Sequence, residues 1–561
     1  MLFVVDKIAL IIYNVDRINS NHVGGYMFIT YQEKNGYEYA TLTRSIRNGD
    51  KVEKEYTNLG RVIDKTRGVF KNRKRGIYTY DLSTNEYGIC PEDVVDTKDN
   101  RRGPYYSVEG KRVSLLVLRF GDIFFFNSFV EKIGILKVVD AIPFGNKDTL
   151  HALVAYYTLS SVANYHAKDW YELSYAKVLY PNAALASQRI SEALSAIGME
   201  ESKRQFFAAY YPFVKKFEMN DTKGNYGVIK DLDDAILLDS CGLPNDAMLP
   251  ITRVSNHNGI ISLEFRLIYV VQQKTGLPLF FRYVAGNIID GTTVKRTIEE
   301  MKGLGVNTKF ALLDSGYYNG NNADILIEAG ISFISRVGKT HGIYEDACKR
   351  LRPTLEVKQN LVKYNGRVYY IAEMPVKIGK KKDKDAYGYF CLDTTMRNEK
   401  QKSIHGKLAD EDIAEEDLFN SMQEAGTFML VCTRKVEKHN LLGLYYTRNQ
   451  VEEIFKIGKG AGKMLPICVE SEETLRGHLL LTFISSVIIK ILMDRMLGTG
   501  WNPEIMFSVL QYQIAQIYPE YLVTSEPVKN MNDIYKHFKI KCPATIPYTA
   551  TADELKRMGR G

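Results

Sequence analysis

The chain is poor in the residues that staple or metallate small folds. Its 561 residues include seven cysteines and nine histidines. Cys90, Cys241, Cys348, Cys391, Cys432, Cys468 and Cys542 are scattered, and no C-x-x-C pair occurs. An odd, dispersed set excludes a disulfide framework and suits reduced thiols in a cytoplasm. The histidines form no H-E-x-x-H or other close ligand pair, which argues against a structural or hydrolytic zinc site. No apolar run of about 18 residues is free of charge, so neither a transmembrane span nor a membrane partner is expected. Met1-Leu-Phe-Val-Val-Asp6 carries acid early and lacks a basic start with a small-residue cleavage site, so a signal peptide is not expected. Tryptophan is scarce too, with only Trp170 and Trp501.

What is present begins with size. A chain this long exceeds one ordinary core, and two to four domains are expected. The net charge of +8 is mildly basic and compatible with nucleic acid. Its distribution says more. Between Thr41 and Arg75 there are eleven basic residues, ending in Lys71, Arg73, Lys74 and Arg75, against the four acids Asp50, Glu53, Glu55 and Asp64. The difference, +7, is nearly the whole net charge, and residues 1–145 are expected to form a basic mixed β domain that binds DNA.

Within that domain, Tyr26–Tyr31 and Tyr37–Leu42 flank Asn35-Gly36, a strong hairpin signal. A third strand is expected after Asn48-Gly-Asp50, Lys71–Arg75 reads as a loop, and Val113–Arg119 as a strand. From Asp148 to about Phe217 the period is helical, and Ala183–Gly198 reads as a helix closing on glycine. Its outward Ser187, Gln188 and Arg189 suit a DNA groove or, equally, a plain helical packing domain over 146–225. Residues 232–336 read β-β-β-α-β-α-β, with Ala235–Leu238 running into Asp239 and Thr308–Leu313 into Asp314. That is the core order of the ribonuclease-H-like α/β fold. Residues 337–440 break this rhythm and read as a β-rich insertion with a lysine run from Lys377 to Lys384. The core then resumes over 441–500, and 501–561 is expected to be a helical C-terminal region and tail.

The chemistry concentrates in Tyr445-Tyr-Thr-Arg448-Asn-Gln-Val-Glu452-Glu-Ile-Phe-Lys456-Ile-Gly-Lys459. On a single helix, Tyr445, Arg448, Glu452, Lys456 and Lys459 fall within an arc of about 80°. Val451, Ile454, Phe455 and Ile457 fall elsewhere and are left to pack. A carboxylate among cations suits a site for both a metal and a phosphate; a solvated face of i,i+4 ion pairs is the plain alternative. Asp239 and Asp314, at strand ends, are either turn residues or rigid oxygen donors for Mg²⁺ or Mn²⁺. Gly458-Lys-Gly-Ala-Gly-Lys463 tempers the helix, since each interior glycine costs about 1 kcal/mol. The helix is expected to end near Ile457 and leave Lys459 on a loop. Those glycines do not make a phosphate loop, because the spacing is one residue short, Met464 follows, and a helix precedes.

Leu237-Leu-Asp239-Ser-Cys-Gly-Leu-Pro-Asn245, Leu312-Leu-Asp314-Ser-Gly-Tyr-Tyr318 and the Y-x2-R-x3-E-x6-K match at Tyr445, Arg448, Glu452 and Lys459 resemble the DDE transposases of the insertion-sequence-four superfamily. Cys241 stands where that family often has threonine or serine. Asn58-Leu-Gly-Arg61 and Leu475-Arg-Gly-His478 resemble one branch of it, as does an insertion in the 452 − 314 = 138 residue gap between the second aspartate and the glutamate. The resemblance implies that Asp239, Asp314 and Glu452 are catalytic and hold two metal ions, Mg²⁺ or Mn²⁺. It implies phosphate contacts from Arg448 and Tyr445, and DNA contacts from Lys456 and Lys459. It further implies double-stranded DNA partners (terminal inverted repeats and target), a homodimer in the DNA complex, and a bacterial cytoplasmic, nucleoid-associated setting. Relatives that form hairpins stack a flipped base on a tryptophan in the insertion. Here the insertion has none, and Tyr364, Tyr369, Tyr370, Tyr387, Tyr389 or Phe390 would have to serve. A related metal-dependent nuclease or a repurposed DNA-binding protein is the competing reading.

Overall fold

The structure, a computed structural model, describes residues 25–34, 37–48, 51–72, 75–90, 94, 105–108, 111–114, 117–217, 234–245, 249–257, 260–408, 415–460, 462–465, 467, 469 and 471–549. The chain divides into two compact units, Met1–Leu116 with Thr551–Gly561, and Val117–Ala550.

The first unit carries a six-stranded sheet in simple sequence order: β1 (Gly25–Lys34), β2 (Tyr37–Asn48), β3 (Lys51–Asp64), β4 (Val69–Asn72), β5 (Gly76–Asp81) and β6 (Glu86–Ile89). Each strand pairs antiparallel with the next, and β1 and β2 are in register up to Lys34↔Tyr37. The Asn35-Gly36 turn itself lies outside the described residues, as do Gly49 and Asp50. Ala40, Leu42, Leu59, Phe70, Tyr78 and Tyr80 form its small core, and the buried Tyr78 hydroxyl donates to the Leu59 carbonyl at 2.7 Å. Lys71 lies in strand β4 rather than in a loop, and the Arg75 guanidinium lies 3.9 Å from the centre of the Tyr87 ring. Arg73 and Lys74 lie outside the described residues. A two-stranded ladder, β7 (Tyr105–Val108) with β8 (Lys111–Ser114), completes this unit.

The second unit opens with β9 (Val117–Arg119), then α1 (Gly121–Ile133) and α2 (Ile135–Val139). This corrects the expectation of a mixed β domain reaching residue 145. Ile123, Phe126 and Val130, with Phe125 and Phe129, recur at helical spacing and are buried. Helices α3 (Lys147–Leu159), α4 (Ala167–Glu172), α5 (Ala176–Leu179), α6 (Ser187–Ile197) and α7 (Glu200–Lys216) follow. The Asn146 side chain caps α3 by accepting from the Thr149 amide.

The central layer is one ten-stranded sheet. Its first part comprises β10 (Ile236–Pro244), β11 (Arg253–His257), β12 (Ile260–Gln272), β13 (Pro278–Ala285), α8 (Val294–Gly303), β14 (Phe310–Leu313), α9 (Gly320–Glu328) and β15 (Ser332–Val337). Strands β10, β12 and β13 meander antiparallel, whereas β10, β14 and β15 run parallel. Strand β11, which pairs along β12, adds a strand that the pattern did not suggest. The four residues of β14 are all buried, as an interior parallel strand requires.

The insertion contributes α10 (Gly342–Leu351), β16 (Leu361–Tyr364), β17 (Arg367–Ile378), β18 (Lys384–Asp393), α11 (Thr394–Leu408), α12 (Glu415–Glu424) and β19 (Thr427–Cys432). It is mixed rather than purely β-rich. Its strands also do not form a separate sheet: β19 pairs with β15, and the order β15-β19-β18-β17-β16 extends the core. The lysine run turns the β17–β18 hairpin.

Next come α13 (Lys438–Tyr446), α14 (Asn449–Lys459) and α15 (Glu472–Arg495). Helix α15 starts at a capping box between Ser471 and Thr474. It is long and apolar enough to cross a membrane, but 89% of that apolar window is buried inside the fold. A Cβ on its Gly477 would meet the Leu194 carbonyl of α6 at 2.0 Å, so the glycine is where two helix backbones nearly touch. The final stretch, expected to be helical, is mixed: α16 (Pro503–Leu510), β20 (Ile514–Ile517), β21 (Tyr521–Thr524), α17 (Lys529–His537) and β22 (Thr545–Pro547). Residues 514–517 alternate exposed and buried, a period of two, and β20 joins β9 across the length of the unit.

Candidate active site

Asp239 does not end its strand. Strand β10 continues to Pro244 because its antiparallel partner β12 continues alongside, from Asp239↔Tyr269 to Pro244↔Glu264. Its parallel partner stops earlier, with the last pair Leu238↔Leu313. Asp239 and Asp314 therefore each follow one member of the same last pair of the parallel ladder, Leu238↔Leu313, and emerge side by side. The Ser240 amide donates to Asp239 Oδ1 at 2.8 Å. The backbone of Asp314 is held by the Tyr317 amide and by the Ser335 hydroxyl of β15, which donate to its carbonyl at 3.1 and 3.2 Å.

The third element differs from the single helix expected. Tyr445 lies in α13, and the chain turns at Thr447–Arg448 before α14 starts. Tyr445 is thereby buried, its hydroxyl has no hydrogen-bond partner, and its ring centre lies 6.0 Å from the Arg448 guanidinium carbon. It does not share the open face of Glu452. Helix α14 runs through to Lys459 instead of ending near Ile457. It buries Val451, Ile454, Phe455 and Ile457 and leaves Glu452, Lys456 and Lys459 exposed. Gly458 is accommodated because it packs against Met464, where a Cβ would meet the Met464 methyl at 2.4 Å. Lys459 Nζ donates to Cys241 Sγ at 2.8 Å, tying the end of α14 to β10 two residues beyond Asp239.

Arg448 sits at the centre. Its Nη1 lies 3.1 Å from Asp239 Oδ2 and 3.6 Å from Asp314 Oδ2, and its Nη2 lies 3.3 Å from Glu452 Oε1. The guanidinium fork thus binds all three acids named by sequence. Burial pushes the Asp239 carboxyl up to about 7; Arg448 pulls it down and Asp314 pushes it up again. Burial opposes the charge on Arg448, but Asp314, Tyr445, Asp239 and Glu452 together hold its pKa above the usual value. Among the described residues, no three His, Cys, Asp or Glu side chains stand as a ready metal-ligating group.

A supporting network escaped the sequence reading. The Ser240 hydroxyl donates to Asp290 Oδ1, and Arg266 Nη2 donates to Ser240 Oγ at 2.8 Å and to Asp290 Oδ2 at 3.1 Å. Asp290 also adds to the upward push on Asp239. These residues come from β10, β12 and the turn after β13, and no spacing in the sequence links them.

Residues 264–488 match the family described as the transposase DDE domain. The interval is under half of the chain and includes Asp314, Arg448, Glu452 and Lys459, but begins after Asp239. A solved structure, the cryo-EM structure of piggyBac transposase in a synaptic complex with hairpin DNA, is similar over 73% of this chain and 73% of that chain, at 10% identity and a TM-score of 0.32. No curated protein matches the chain.

Proposed function

We propose that the protein is a DNA transposase that cleaves the ends of its element and joins the resulting 3′ hydroxyls to target DNA. The observation that carries this is the convergence of Asp239, Asp314 and Glu452 on one arginine, in a chain whose residues 264–488 match the transposase DDE domain. A ribonuclease-H-like core is supported by the order β13-β12-β10-β14-β15, antiparallel in its first three strands and parallel thereafter. The motif Tyr445, Arg448, Glu452, Lys459 supports the insertion-sequence-four branch.

The donor set fits a hard divalent cation, Mg²⁺ or Mn²⁺. Two carboxylates emerge side by side, and burial already disfavours the negative charge of one. Asp239 and Asp314 would hold such ions, with Glu452 completing the set once Arg448 turns away. Bound there, two ions supply an activated water or 3′ hydroxyl and stabilise the leaving oxygen.

The chain's own groups do the rest. Arg448 bridges the three acids and offsets part of their charge until DNA arrives, and its planar fork then serves a phosphate equally well. Tyr445 braces Arg448 from beneath. Lys456 and Lys459 line the exposed face of α14 and attract the DNA backbone; Lys71, Arg73, Lys74 and Arg75 add affinity from the first unit. Concerted cutting of two ends calls for a homodimer on DNA, acting in the cytoplasm at the nucleoid.

The test is single-turnover cleavage and joining of DNA that carries the element's terminal repeats. Wild type is expected to nick and join with Mg²⁺, and Asp239→Asn to do neither. Full activity in Asp239→Asn would refute the site. Cleavage without joining in wild type would mark a nuclease instead.

A further inference from the structure

The parallel ladder that carries Asp239 and Asp314 ends one residue before both, at Leu238↔Leu313. Beyond that pair the ladder no longer sets how far apart the two carboxylates stand. A two-metal site needs that spacing held closely, since its ions lie about 3.5–4 Å apart. The turn Asp290-Gly291, just before α8, reaches the segments that follow both aspartates.

Toward β10 the turn uses a side chain. Asp290 Oδ1 accepts from the Ser240 hydroxyl, and the Ser240 amide holds Asp239 Oδ1 at 2.8 Å. The Arg266 guanidinium, with 8% of its side chain exposed, donates to Ser240 Oγ at 2.8 Å and to Asp290 Oδ2 at 3.1 Å. Both Asp290 oxygens are thus engaged within the protein, so this fourth acid braces Asp239 and does not add a ligand. Toward β14 the turn uses its backbone. Asn322, buried in the first turn of α9, donates from Nδ2 to the Gly291 carbonyl at 2.6 Å and to the Tyr317 carbonyl at 2.8 Å. The Tyr317 amide donates onward to the Asp314 carbonyl at 3.1 Å. Asn322 is itself fixed, because its own amide donates to Asn319 Oδ1 at 2.9 Å. The fit leaves little slack. A Cβ on Gly291 would lie 3.0 Å from Asn319 Nδ2 and 3.3 Å from the Gly316 carbonyl oxygen, and one on Gly316 would lie 3.4 Å from Asp290 Oδ2.

We propose that Asp290 and Asn322 are positioning residues that clamp the two aspartates at the spacing a pair of divalent cations requires. Asp290 fixes the Asp239 side through Ser240, Asn322 fixes the Asp314 side through Tyr317, and the turn between them sets the distance. The inference rests on the transposase reading, because it assigns the clamp to the metal pair of that site. The plain alternative is that Asp290 only compensates the buried charge of Arg266.

Manganese titration followed by electron paramagnetic resonance, on the full chain with terminal-repeat DNA, tests it. Wild type is expected to bind two ions and give the coupled spectrum of a close pair. Asp290→Ala and Asn322→Ala should each retain the first ion, weaken the second by about 10–100-fold, and lose the coupled spectrum. Ser240→Ala should do the same, and Ser240→Thr, which keeps the hydroxyl, should restore the pair. Hydrogen exchange on the metal-free protein gives a second readout. Asp290→Ala should speed exchange around Ser240 and Asn322→Ala around Tyr317, each leaving the other side as in wild type. No manganese pair in wild type would refute the transposase site and the clamp with it. A wild-type pair that persists in Asp290→Ala and Asn322→Ala would overturn the clamp alone. So would recovery of the pair in Arg266→Met/Asp290→Ala, where neither member of the ion pair remains. If Asp290→Ala does not fold, Ser240→Ala against Ser240→Thr decides, since both leave the Arg266–Asp290 pair in place.

Discussion

Two cationic side chains, Arg448 and Lys463, lie 463 − 448 = 15 positions apart in sequence, yet they live in opposite electrostatic surroundings. Arg448 is surrounded by three carboxylates within 3.1–3.6 Å, and its charge is held. Lys463 is buried against two phenol rings, and desolvation disfavours its charge. The first cation answers an excess of negative charge that the fold has built from two strands and a helix. The second is itself the excess, and rests on the face of the Tyr156 ring with no hydrogen-bond partner among the described residues. Under the proposed function, the first site would release its cation when metal and phosphate arrive.

The largest expected effect breaks the first half of this contrast. Arg448→Ala should reduce DNA cleavage by about 10²–10³-fold, the scale of losing one charged transition-state contact. It should at the same time tighten Mn²⁺ binding, because no guanidinium competes for the acids; calorimetric titration without DNA checks the second point. Weaker Mn²⁺ binding would mean that Arg448 organises the acids instead of competing for them.

The next effect sharpens the second half. The Lys463 pKa is lowered on folding, so the unfolded chain binds more protons between about pH 6 and the ordinary lysine value, and stability must rise with pH across that window. Above pH 6.5 the buried His478 is neutral and does not contribute. From pH 6.5 to 9.5, denaturant titration should show wild type gaining about 2 kcal/mol relative to Lys463→Met, with a ceiling of about 1.4 kcal/mol per pH unit. Parallel pH profiles for the two proteins would contradict the uncompensated amine.

The smallest effect concerns exposed charge. Lys459→Ala should lower the magnitude of the salt slope of DNA binding by about 1, as expected for one lost phosphate contact. An unchanged slope would confine Lys459 to its hydrogen bond with Cys241.

The same contrast explains what was legible. Asp239, Asp314 and Glu452 could be singled out because an acid after a short apolar run and a four-residue helical spacing are local patterns; that β10 runs on past Asp239 to Pro244 was not visible, because its partner β12 carries it on. The break at Thr447–Arg448 was not legible, because both residues keep helical dihedral angles and only tertiary packing separates α13 from α14. Lys459 was misplaced because glycine propensity was allowed to end a helix that the Gly458–Met464 contact sustains. The insertion was read as β-rich, but period-two pieces say nothing of which sheet they join, so its continuation of the core sheet through β19 and β15 was not visible. The Ser240–Arg266–Asp290 network and the Lys463–Tyr156 contact join residues far apart in sequence, and a single chain carries no signal for either.

The most direct measurement is Mn²⁺ binding, followed by electron paramagnetic resonance, in wild type, Asp239→Asn, Asp314→Asn and Glu452→Gln, with terminal-repeat DNA present. The account predicts two bound ions in wild type and loss of at least one in each variant, while Lys463→Gln retains both. Wild-type stoichiometry in Asp239→Asn and Asp314→Asn would contradict it.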